Sequence, residues 1–134
     1  MRLADKLSEI DGYCDELESI VPADFTAYAA DIKSKAACER YFEKIVTAIV
    51  DAAFLAIKNE HLTLPEDEKQ SFDILSRADV ISAALATGLK EAKGMRNILA
   101  HEYGVVDDRL VFHAITDEIL RDAHEFVAAL RKLG

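Results

Sequence analysis

Apolar residues recur along this chain at steps of three and four, the period of a helix buried on one side. Leu3, Leu7, Ile10, Cys14, Leu17 and Val21 form one such stripe, and Pro22 ends the first predicted helix. A second, longer helix is predicted from about Asp31 to Asn59. Its part from Tyr41 to Ile57 is apolar on most sides, with Ile45, Val46, Ile49, Val50, Ala53, Phe54 and Ile57 reading as core. Leu64-Pro65 opens a connection, and Asp67 to Leu75 predicts a short helix burying Phe72 and Leu75. Asp79 is the expected N-cap of a helix beginning Val80-Ile81 and continuing through Leu85, Leu89, Ala92, Met95 and Leu99 to about Glu102. Gly104 stands where that helix would need a left-handed residue to end. Asp107 or Asp108 caps a last helix with Leu110, Val111, Ile115, Ile119, Leu120, Phe126, Val127 and Leu130 on its buried side. Val105-Val106 and Leu110-Val111-Phe112 are too short to make a sheet. The pattern predicts an all-α, antiparallel bundle of four main helices plus short helical connections.

Composition bounds this picture. The chain has 134 residues, 51% of them apolar, enough for one buried core and too few for two ordinary domains. No linker, repeat or low-complexity tract divides it, so a single domain over residues 1–134 is expected. The formal net charge of −9 excludes a broad basic surface for nucleic acid but leaves room for a small local one. Cys14 and Cys38 have no metal-site spacing and fit a reducing compartment. The first residues carry acids and lack the basic start and apolar centre of a signal peptide. The most apolar stretch, Ile45 to Ile57, is short and interrupted by Asp51, so no membrane span is expected, and the location expected is cytoplasmic.

One segment concentrates chemistry: Gly94-Met95-Arg96-Asn97-Ile98-Leu99-Ala100-His101-Glu102-Tyr103-Gly104. Asn97 and His101 are i,i+4 on a continuing helix, and Arg96 and Tyr103 are i,i+7. Arg clamps phosphate oxygens with its planar fork. His accepts or donates a proton near neutral pH. Asn can orient the imidazole or the substrate, and Tyr offers a hydroxyl and a stacking face. An Arg and a His at a helix end can also serve only the last carbonyls and the helix dipole. The full Arg, Asn, His and Tyr set arises by chance on the order of once in several thousand chains. The acidity lies away from it: residues 1–67 carry 7 basic and 14 acidic residues, residues 68–134 carry 9 and 11. Lys90, Lys93 and Arg109 could line a modest positive cleft, with Lys90 and Lys93 as contacts for an anionic ligand; singly, each lysine reads as solvated surface.

The remaining candidates are weaker. His113 and Asp117 are i,i+4, with His124 further on, but no third convergent ligand is evident, and no metal site is assigned. His61 falls near a helix end and reads as surface. Asp51, alone in an apolar helix, is expected to be a buried carboxylate in need of a partner. Asp11, Asp15, Glu16 and Glu18 read as a solvated face. Tyr41, Phe42 and Phe54 read as core or dimer contacts.

Arg96-Asn97-x-x-x-His101-x-Tyr103 resembles the Arg-x4–6-His signature of the HEPN superfamily, and within it the Arg-Asn-x-x-x-His-x-Tyr form of HepT-like toxins. The apolar helix with Ile49, Asp51 and Ala52, and the stretch Leu75-Ser76-Arg77-Ala78-Asp79-Val80-Ile81, also resemble that family. The resemblance implies a dimeric, metal-independent endoribonuclease needing no cofactor. It makes Arg96 and His101 the catalytic pair, Asn97 their support and Tyr103 the residue modified. The partner implied is a minimal nucleotidyltransferase (MNT) antitoxin, which would transfer AMP from ATP to Tyr103 and silence the nuclease. The alternative is a non-catalytic HEPN-like binding or scaffold subunit of a nucleotidyltransferase complex. Elementary chemistry agrees with the first: RNA can be cut by its own 2′-hydroxyl, given a base, a phosphate-binding cation and an acid. One His cannot easily be base and acid in a single step, and a two-fold dimer would supply a second.

Overall fold

A computed structural model describes residues 2–101 and 106–133. All regular structure among them is helical. The helices are α1 (Leu3–Ile20), α2 (Phe25–Ala30), α3 (Ile32–Asn59), α4 (Glu68–Arg77), α5 (Ala83–His101), α6 (Asp108–His113) and α7 (Leu120–Arg131), with a π-helical segment, Ala114–Ile119, joining the last two. The direction of packing follows from the cross-ties. Lys6 near the start of α1 reaches Asp51 in the second half of α3 at 3.6 Å, while Glu16 near the end of α1 accepts from Tyr41 in the first half of α3. Asp11 and Glu18 of α1 face Arg131 and His124 of α7 in reversed order. Glu68 and Asp73 of α4 meet Arg96 and Lys90 of α5 the same way. Each of these pairs is antiparallel.

The core is one contiguous cluster, running from Leu7, Ile10 and Cys14 of α1 through most of α3 to Phe126 and Leu130 of α7. Both thiols lie in it at zero exposure, and burial pushes the Cys14 thiol up to about 12, so it stays protonated and unreactive. α5 and α7 approach closely at Gly88. A Cβ there would stand 2.6 Å from the Asp122 carboxylate, which is buried and paired with Arg121 Nε at 3.1 Å.

Four sequence expectations change here. First, Asp79 does not open α5; it closes α4. Its φ is +61°, its N–H donates to the Ser76 carbonyl, and the Val80 N–H donates to the Leu75 carbonyl, the paired bonds of a Schellman end. α5 starts at Ala83, and the Ser82 hydroxyl accepts from the Leu85 N–H at 3.0 Å. His61, at φ +55°, closes α3 in the same way and is exposed, as expected. Second, α2 had no counterpart in the periodicity, because six residues hold under two turns. It forms because Asp24 caps it and because Phe25 and Tyr28 pack on Phe112 of α6, with ring centroids 6.0 and 5.0 Å away.

Third, Asp51 is exposed, its side chain half open to solvent, and pairs with Lys6. The helix is apolar on most sides at that level, but Asp51 occupies the side that is not. Fourth, Leu110 on α6 and Phe54 on α3 lie 59% and 36% exposed rather than in the core. The buried stripe of the last rod is Val111, Ile115, Ile119 and Ala123, three steps of four residues. On an α-helix each such step rotates the stripe by about 40°. The wider turn of the π segment absorbs that drift and keeps the stripe on the core. The expected helix end at Gly104 lies outside the described residues.

Candidate active site

α5 carries the motif on its last two turns. Ala92, Met95 and Leu99 pack against the core and set the helix's rotation. That rotation turns Arg96 into the junction of α3, α4 and α5, where only 15% of its side chain is exposed. Its Nη1 donates to Thr47 Oγ1 of α3 at 3.2 Å, and its Nη2 donates to Glu68 Oε1 of α4 at 2.5 Å. Lys93, one turn earlier, brings its Nζ within 3.8 Å of the same carboxylate oxygen. Glu68 is the first residue of α4, after the capping Asp67, so its charge also meets the positive end of that helix.

Asn97 is half-buried. His101 is the last described residue of α5, is exposed, and pairs with no side chain among the described residues. Five residues apart on a helix, Arg96 and His101 are separated by about 7.5 Å of rise and by about 140° of rotation. Within one copy they point to different sides of α5. Tyr103, the expected modification site, lies outside the described residues.

The tertiary structure also changes the charge balance. Counted along α5 alone, Lys90, Lys93 and Arg96 make a positive stretch. α4 delivers a carboxylate to each: Asp73 to Lys90 at 2.8 Å, and Glu68 to Lys93 and Arg96. Lys69 adds a cation, its Nζ lying beside Gly94. Arg109 is elsewhere, its guanidinium stacked 4.2 Å from the centre of the Phe25 ring. Sequence reading missed Thr47, Glu68 and Lys69. Nothing local marks them, because they lie 49, 28 and 27 residues before Arg96 or farther, on other helices. His113 Nδ1 sits 2.7 Å from Asp117 Oδ2, whereas His124 turns to Glu18 of α1. The three residues weighed as a metal set therefore do not converge.

Among the described residues the bundle is all-helical, with Arg96, Asn97 and His101 on the last two turns of α5. The chain belongs to the HepT-like family, whose model, described as "Ribonuclease HepT-like", matches residues 10–130. It is 26% identical over 89 residues to the mRNA nuclease HepT of Shewanella oneidensis, a match covering 66% of each chain, just under two thirds of that protein's length. It is 28% identical over 108 residues to a putative RNase of Archaeoglobus fulgidus, covering 78% of this chain and 80% of that one. Its fold superposes with a TM-score of 0.89 on a tri-AMPylated Shewanella oneidensis HEPN toxin solved in complex with an MNT antitoxin, at 21% identity over 97% of this chain and 96% of that one. Among the described residues, no helix is long and apolar enough to cross a membrane.

Proposed function

We propose that this chain is the ribonuclease toxin of a toxin–antitoxin pair, cutting RNA without a metal through Arg96 and His101. The observation that carries this reading is the family match over residues 10–130 together with the complete Arg96-Asn97-x-x-x-His101-x-Tyr103 motif within it. In the reaction, the RNA 2′-oxygen attacks the adjacent phosphorus and the P–O5′ bond breaks. A 2′,3′-cyclic phosphate and a 5′-hydroxyl are left. His101 takes the 2′-hydroxyl proton, and Arg96 holds the negative charge that grows on the phosphoryl oxygens. The 5′-oxygen needs a proton in the same step. A homodimer would bring a second His101 to the cleft as that acid, and would bring one copy's His101 toward the other's Arg96. Asn97 supports the pair, while Lys90 and Lys93 would exchange their α4 carboxylates for RNA phosphates.

The test is cleavage by the purified chain in EDTA, with product ends identified. Cyclic phosphate and unimpaired cutting are expected; inhibition by chelation would refute the metal-free route. Light scattering at micromolar concentration should give twice the chain mass. A fully active monomer would remove the second histidine from the mechanism.

Control follows from the same motif. The proposed MNT-type antitoxin would bind ATP, the Tyr103 oxygen would attack the α-phosphorus, and pyrophosphate would leave. The added AMP carries negative charge two residues beyond His101, where it can pair with Arg96 and repel RNA. Incubation with the cognate antitoxin, ATP and magnesium should add AMP mass to the wild type and none to Tyr103→Phe. An adduct that persists in Tyr103→Phe would overturn this assignment.

A further inference from the structure

We infer that Glu68 is the positioning residue for Arg96, fixing the guanidinium in the orientation the scissile phosphate requires; this rests on the ribonuclease reading above. An arginine on an exposed helix turn samples many rotamers, and a guanidinium free to move binds phosphate without orienting it. Arg96 is held on two helices at once. Nη2 donates to Glu68 Oε1 and Nη1 to Thr47 Oγ1, so both terminal nitrogens are fixed and the plane of the fork is set by α3 and α4 together. Arg has five N–H donors, so these two bonds leave three others unused.

The turn that carries Glu68 is held at its backbone. Glu68 opens α4, whose N-cap Asp67 accepts from the Gln70 N–H at 2.8 Å. Ser71 Oγ donates to the Glu68 carbonyl at 2.6 Å, and Phe72 and Leu75 are fully buried beneath. Lys93, which approaches the same carboxylate oxygen, keeps the trio Lys93, Glu68 and Arg96 net positive, so the site still attracts an anion. The exposed Thr47 hydroxyl contributes direction and no charge. The design is therefore a pre-oriented cation rather than a merely concentrated one, and orientation is what a reaction's transition state rewards.

The experiment compares wild type, Glu68→Ala and Glu68→Gln in steady-state RNA cleavage. It adds ¹⁵N spectra of the Arg96 side chain recorded in a His101→Ala background, where cleavage plays no part. Glu68→Ala should lower kcat by about 10- to 100-fold with KM within about threefold. Glu68→Gln, which keeps the acceptor oxygen and loses the charge, should recover most of that loss. The Arg96 Nε–H signal should be that of a rigid group with Glu68 and of an averaged one in Glu68→Ala, while the melting temperature stays near wild type. Faster cleavage or a lower KM in Glu68→Ala would mean that Glu68 restrains Arg96 from RNA and would overturn the inference. So would unchanged Arg96 dynamics. Should the wild type cut no RNA while Arg96 dynamics still depend on Glu68, the ribonuclease reading fails and the positioning contact stands.

Discussion

Arg96→Ala and His101→Ala should each abolish RNA cleavage and the growth arrest that expression causes, while the helical spectrum is unchanged. His101 is exposed and pairs with no side chain among the described residues, so its removal takes away no packing. Loss of a proton-transfer group costs about a hundred- to ten-thousand-fold in rate. Arg96 is more deeply set, and its truncation removes one partner each from Glu68 and Thr47, but Glu68 retains Lys93 and reaches solvent. The loss of a cation that stabilises charge in the transition state costs about a hundred- to a thousandfold. Expression of the wild type beside His101→Ala, scored for growth and RNA integrity, separates the toxin from a scaffold subunit. Growth arrest by both proteins would refute the catalytic role. No arrest and no cleavage by either would favour the scaffold.

Phe72→Ala should cost about 3–5 kcal/mol, lowering the melting temperature by about 10–20 °C. Phe72 is fully buried and is the largest of the side chains that seat α4, a helix of only 10 residues that cannot hold its shape without packing. The consequence reaches the site, because α4 carries Glu68. Amide exchange should quicken through Glu68–Arg77 before the rest of the bundle, and cleavage should fall at temperatures where the chain is still folded. Leu110→Ala is the control. With 59% of Leu110 exposed, it should cost less than about 0.5 kcal/mol. Equal losses in the two variants would show that α4 is not anchored through Phe72.

The contrast between these two residues marks where local pattern stops. Helical period is a property of neighbouring residues, and it placed α1, α3, α4, the start of α5 and the final rod within a few residues of their observed positions. The motif was legible for the same reason, since Arg96, Asn97, His101 and Tyr103 lie within eight positions of one another. Caps were legible as chemistry but not as assignments. Asp79 can open a helix or close one, and only the bond from the Val80 N–H to the Leu75 carbonyl decides for closing. Asp51 and Leu110 show the same limit, because an apolar-looking turn still has a side, and the packing partner chooses which side is buried.

What reaches Arg96 was beyond any local signal. Glu68 and Thr47 arrive from 28 and 49 residues away, and Asp73 reaches Lys90 from 17. Those meetings depend on how far α4 slides along α5 and how each helix is rotated about its axis. Both are set by the fit of Phe72, Leu75, Leu85 and Leu89 in a shared core, since helices pack by interlocking side chains rather than by the order of charges along the chain. Residue types and their helical spacing were therefore written locally, whereas the ion-pair partners and orientation of Arg96 emerged only when three helices met.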